Sequence, residues 1–180
     1  MVPTSAPIRT PTRGATGDPF LYAIALGSNR WSRHGPPPAT IRAALAAVGG
    51  VAAVGGVAAV SPIIASAPLG PSLRRYANAV ALIESRENPA ALLVRLKRLE
   101  RDFGRRRGRR WGSRVIDLDI ILWSGGAWTS PGLAVPHAAY RDRDFVLDPL
   151  ASIAPRWRDP RTGETIRHLA AKVDRPRPRT

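Results

Sequence analysis

The segment Arg110–Trp123, reading RWGSRVIDLDIILW, constrains this chain more than any other. Its branched aliphatics predict a strand, yet two carboxylates, Asp117 and Asp119, sit inside it two residues apart. Strand side chains alternate, so both acids share one face while Ile116, Leu118, Ile120 and Leu122 form an apolar stripe on the other. Adjacent like charges repel and Asp is a poor strand former, so a cation is expected between them. Arginines stand just upstream at Arg105, Arg106, Arg107, Arg109, Arg110 and Arg114. Divalent metal plus phosphate is the simplest reading of the combination.

A chain of 180 residues suits one domain with a sizeable core. It carries 28 Lys and Arg against 13 Asp and Glu, a formal charge of +15, and nearly all the cations are Arg. Such a surplus attracts nucleic acid, acidic membranes or nucleotide phosphates. GC-rich coding also enriches Arg, so local clustering says more than the total. The absence of cysteine excludes disulfides and thiolate metal sites and fits a reducing compartment. No segment is long and apolar enough to cross a bilayer. Residues 1–18, rich in Pro, Thr and Gly, read as a disordered leader without the apolar core of a secretory signal. Asp174–Thr180 reads as a loose tail, which leaves residues 19–173 as a single domain expected in the cytoplasm.

Phe20–Leu26 predicts a buried strand that stops at Gly27-Ser28-Asn29. A helix follows in ATIRAALAAV, with Ile41, Leu45 and Val48 on one face and Gly49-Gly50 as its end. The hexapeptide Val48–Ala53 recurs as Val54–Ala59; two copies are too few for a solenoid, and slippage tolerated in a loop accounts for them. A strand is placed over Val57–Ala65, a rigid loop at Ala67–Pro71 and another strand at Tyr76–Glu84. Pro89 opens a helix with Leu92, Leu96 and Leu99 on one face and Gly104 as its stop. The Arg-rich loop and the acid-bearing strand Val115–Trp123 come next, then a turn at Ser124-Gly125-Gly126. Short helices are expected near Asp142–Ile153 and over Thr165–Val173. The order β-α-β-β-α-β is that of an α+β, ferredoxin-like fold: a mostly antiparallel sheet with helices on one face, here with C-terminal helical additions.

Mg²⁺ takes octahedral oxygen ligands, often only one or two carboxylates completed by substrate phosphates, and two acids on one strand face meet that need. The Arg loop is either a solvated charge run, an RNA patch, or a clamp whose bidentate guanidinium groups close over phosphates. Gly104, Gly108 and Gly112 would let it move, and Trp111 offers an apolar anchor or a flat surface against a ring. Tyr76 and Asn78 share a strand face, an arrangement that suits core packing or a stacked heterocycle read at its edge. Phe145 has the same two readings, and His137 after Pro136 either holds phosphate or satisfies a turn.

Taken together these motifs resemble a known family. Gly27-Ser28-Asn29, Pro68-Leu69-Gly70-Pro71 ahead of Tyr76-x-Asn78, and Glu100 at the end of the long helix form half the pattern. Arg110-Trp111-Gly112-Ser113-Arg114-x-x-Asp117-Leu118-Asp119, Val135-Pro136-His137 and Arg143-x-Phe145-Val146-Leu147 form the rest. From Leu21 to Ala170 the chain closely resembles bacterial 6-hydroxymethyl-7,8-dihydropterin pyrophosphokinases of folate biosynthesis. The resemblance implies transfer of pyrophosphate from ATP to the pterin hydroxymethyl group with release of AMP. It implies that Asp117 and Asp119 hold two Mg²⁺ ions, and that Arg105 and Arg114 bind phosphate and stabilise the transition state. Lys97, Glu100, Arg107, Trp111, His137 and Arg143 would meet ATP. The pterin would stack between Tyr76 and Phe145, its edge read by Ser66, Asn78 and the backbone at Leu69 and Gly70. Ser113 and Ala67 stand where the family favours proline, and Ala138 where some relatives carry an aromatic.

A monomer acting on two small molecules, with neither nucleic acid nor membrane as partner, is the expectation. An RNA-binding ferredoxin-like module would carry aromatics in a [K/R]-G-[F/Y] pattern on its central strands, which is missing here. A metal-dependent nucleotidyltransferase also hangs two acids on an antiparallel sheet and differs in releasing pyrophosphate.

Overall fold

Alternating strands and helices with an i, i+4 apolar stripe make up the computed structural model, which describes residues 18–50, 54–67, 75–104 and 115–173. The expected leader (Asp18 apart), the tail, most of the Ala67–Pro71 loop and all of Arg105–Arg114 lie outside the described residues. In chain order come β1 (Phe20–Ser28), α1 (Pro37–Gly49), β2 (Val54–Val60), β3 (Ile64–Ser66), β4 (Tyr76–Ser85), α2 (Pro89–Asp102) and β5 (Asp117–Trp123). A hairpin of β6 (Trp128–Ser130) and β7 (Leu133–Val135) follows, then a 3-10 turn at Tyr140–Asp142, α3 (Asp144–Ile153) and α4 (Ile166–Val173). The main sheet is ordered β2-β4-β1-β5, with β3 also on β4, and its pairings are antiparallel. β1 and β4 are central, with β2 and β3 outside β4 and β5 outside β1, as the ferredoxin-like reading requires.

Helices α1 and α2 cover one face. The side chain of Asn88 accepts the Ala91 N–H at 3.0 Å and Pro89 sits in the first turn, which starts α2. Ile41, Ala44 and Val48 of α1 and Leu92 and Leu96 of α2 share a buried cluster with Tyr22, Ile24, Leu26, Ile83 and Leu118 of the sheet and with Ile116 just ahead of β5. The C-terminal additions cover the opposite face, where Val146, Leu147, Leu150, Ile166 and Leu169 meet Ala23, Val80, Leu82 and Ile121. The sheet is thus the middle of three layers.

Several expectations change. Leu122 leaves the apolar stripe, because Ala23 opposes Leu122 while Ile24 opposes Ile120, which makes Ile121 the extra residue of a bulge. Beyond it Leu122 packs with the α3–α4 layer, whereas Ile116, Leu118 and Ile120 stay beneath α1 and α2. The strand placed over Val57–Ala65 is two strands, since Pro62 has no N–H for a ladder and interrupts pairing between β2 and β3. The second copy of the hexapeptide is sheet, not loop: Val54–Ala59 falls within β2. The β6–β7 hairpin was not expected and turns at Pro131-Gly132, with Gly132 at φ +75°.

Candidate active site at the open end of the sheet

The sheet face beneath α3 and α4 changes character toward one end. It reads Leu82, Val80, Asn78, Tyr76 along β4, Ala23, Ala25, Gly27 along β1, and Ile121, Asp119, Asp117 along β5. The first members of each row are core; Tyr76, Asp117 and Asp119 are half-buried, and Asn78 is 6% exposed. Gly27 pairs with Asn78 on one side and with Asp117 on the other. An amide, a bare peptide and a carboxylate therefore stand abreast on three strands. A Cβ on Gly27 would come within 3.3 Å of Asn78 Oδ1, closer than such atoms normally approach. Asn78 Nδ2 donates to Ser66 Oγ at 2.8 Å, and Ser66 itself lies opposite Tyr76. The structure thus brings together Ser66, Tyr76 and Asn78.

Among the described residues β5 lies at one edge of the sheet, and Leu118, between the two acids, turns its backbone groups outward. Its N–H donates to Glu100 Oε1 at 2.7 Å and its carbonyl accepts from Lys97 Nζ at 3.0 Å. Lys97 also pairs with Glu100 at 2.6 Å and lies 3.5 Å from Asp119 Oδ1, so an ammonium supplies cationic charge beside this acid. Burial raises the Glu100 pKa, and the bonds from Lys97 and the Leu118 N–H offset part of that rise.

His137 follows the cis Val135-Pro136 peptide, and its N–H donates to the Ile121 carbonyl at 3.0 Å. Its Nδ1 accepts the Ala139 N–H at 3.2 Å, which places the ring proton on Nε2. Burial lowers its pKa, Asp119 pulls it back and Arg143 lowers it again; the outcome is a neutral ring within the field of both acids. The Arg143 guanidinium lies 5.8 Å from the centre of the Phe145 ring at the start of α3. Leu69, Gly70, Arg105, Arg107, Trp111 and Arg114 lie outside the described residues.

Two contributors were absent from the sequence-derived site, Gly27 and Ser28. Buried Ser28 donates through Oγ to the Val115 carbonyl at 2.6 Å, tying the end of β1 to the approach to β5. The motif Gly27-Ser28-Asn29 was visible; that register would set its glycine between Asn78 and Asp117 was not. No group of three or more His, Cys, Asp or Glu among the described residues is disposed to hold a metal ion. Two carboxylates from one strand nonetheless suit Mg²⁺, which draws its other oxygens from water and phosphate.

Comparison with known proteins agrees with this geometry. The family model for 7,8-dihydro-6-hydroxymethylpterin-pyrophosphokinase matches residues 23–155. A 2-amino-4-hydroxy-6-hydroxymethyldihydropteridine pyrophosphokinase from Haemophilus influenzae is 40% identical over 132 residues, covering 73% of this chain and 79% of that protein. Its namesake from Synechocystis sp. is 41% identical over 105 residues, 58% of this chain but 54% of the relative. For several such relatives the matched stretch spans little more than half their length. A crystal structure of Plasmodium falciparum HPPK-DHPS superposes with a TM-score of 0.66 at 11% identity, over 88% of this chain and 45% of that one, and shows the shared fold. The match covers every described strand and helix from β1 to α3, apart from the first three residues of β1, and takes in both aspartates and the row they complete, so the chain belongs to the 7,8-dihydro-6-hydroxymethylpterin-pyrophosphokinase family.

Proposed function

We propose that this protein transfers the pyrophosphoryl group of ATP to the hydroxymethyl oxygen of 6-hydroxymethyl-7,8-dihydropterin, releasing AMP and the pterin diphosphate in folate biosynthesis. The observation that carries the reading is the row Asn78–Gly27–Asp117, which sets an edge-reading amide beside an acid pair with only a peptide between them. In this reading the pterin lies over Gly27 between Tyr76 and Phe145, with Asn78, Ser66 and the backbone at Leu69 and Gly70 at its edge. Asp117 and Asp119 would hold two Mg²⁺ ions, which when bound supply positive charge to the triphosphate and acidify the attacking hydroxyl. Arg105 and Arg114 stabilise charge on the transferring phosphates, and Arg107, Trp111 and Arg143 complete the ATP site. His137, neutral and protonated on Nε2, donates a hydrogen bond to a phosphate oxygen and has no lone pair left with which to act as a base. Positioning and electrostatics therefore carry the rate. In this reading the enzyme works as a monomer in the cytoplasm. Among the described residues no helix is long and apolar enough to cross a membrane.

Incubation with ATP, Mg²⁺ and the reduced pterin tests the reading. AMP and pterin diphosphate should appear in equal amounts. Release of pyrophosphate instead would mark a nucleotidyltransferase, and untouched ATP would overturn the assignment.

A further inference from the structure

The buried stripe of α2 runs Pro89, Leu92, Leu96 and then, where another apolar residue belongs, Glu100. A carboxylate 1% exposed is costly unless it is bonded, and Oε1 of this one receives both Lys97 Nζ and the Leu118 N–H. Lys97 then reaches the carbonyl of the same residue. Among the described residues no strand pairs with the outer edge of β5. One helical turn of α2 therefore takes up the outward donor and acceptor of Leu118, the residue between the two aspartates. On the inner edge Asp117 and Asp119 face Gly27 and Ala25.

We propose that Lys97 and Glu100 are positioning residues that replace a missing neighbour strand, fix the Leu118 peptides and thereby set the spacing of the Asp117 and Asp119 carboxylates for their divalent ion. Rotation of either peptide flanking Leu118 would swing one carboxylate relative to the other, because both side chains hang from that short piece of backbone. The inference rests on the pyrophosphokinase reading, in which the ion arrives with the triphosphate. It also separates these residues from the contact with ATP, at its nucleoside, that the resemblance implies. A residue that touches the nucleoside contributes with or without metal, whereas one that shapes the acid pair contributes through metal alone.

Calorimetric titration of the full chain with an ATP analogue bearing a methylene bridge between the α- and β-phosphates, in excess Mg²⁺ and again in EDTA, distinguishes the two. Lys97→Met and Glu100→Leu should lose about tenfold or more in Mg²⁺, as for residues that orient metal ligands, and stay within about twofold of wild type in EDTA. Glu100→Gln keeps an oxygen for the Leu118 N–H and should recover part of the loss. Equal losses in both buffers, or no loss in Mg²⁺, would overturn the proposal. If thermal melting shows Glu100→Leu unfolded, Lys97→Met decides, because its side chain is 32% exposed and its removal leaves no buried gap. A wild-type protein that binds the analogue no better with Mg²⁺ and forms no AMP would instead refute the parent reading, and this inference with it.

Discussion

Asp119 is half-exposed, and Lys97 is its ion-pair partner across the edge of the sheet. Its replacement by Ala should leave unfolding by denaturant close to wild type while AMP release falls at least about a hundredfold, the scale of losing one preorganised electrostatic group. An active Asp119→Ala protein would remove the metal assignment. That Asp117 and Asp119 share a face follows from period 2 alone, so this part of the site was legible in the sequence. The alignment of Asn78, Gly27 and Asp117 was not, because it depends on cross-strand register between segments far apart in the chain. The Leu118 bonds to α2 were hidden for the same reason: nothing local says which helix turn will lie beside an edge strand.

At the scale of elements, legibility tracked the strength of the repeat. Helix α2 has a cap, an initial proline and a Leu92–Leu96 stripe, and it begins at the residue the sequence indicated. Where one residue breaks a repeat, as Pro62 does between β2 and β3 or Ile121 does in β5, pattern reading carried straight through. The hairpin strands are three residues each, too short for any period to register, although Pro131-Gly132 marked their turn. Leu96 is 1% exposed against the sheet, one turn before Glu100. Leu96→Ala should cost about 2–5 kcal/mol in the unfolding free energy measured with urea. A loss under 1 kcal/mol would mean that α2 is not anchored by this stripe.

For the molecule as a whole, the C-terminal layer is pinned by a buried acid. Asp159, fully buried, accepts from the Tyr140 hydroxyl at 2.8 Å, from the Arg141 guanidinium and, at 2.8 Å, from the Arg161 N–H. Burial by itself would raise its pKa, but these donors outweigh it and hold the carboxyl down at about 2. A depressed acid stabilises the fold above its unfolded value near 4 and gives that stability up as pH falls toward 2, in all about 2 kcal/mol. Urea midpoints should therefore drop across that window, and Asp159→Asn should lower stability at neutral pH and flatten the pH dependence. An unchanged slope in the variant would show that other carboxylates set the acid limit. On the opposite side of the layer, the central strand offers Ala23, Ala25 and finally Gly27 between taller flanking rows. That strand is a trough paved with main chain, so a planar guest seated in it rests at a height dictated by covalent geometry and not by any rotamer. Thermal jostling of side chains then blurs its rim but leaves its level undisturbed.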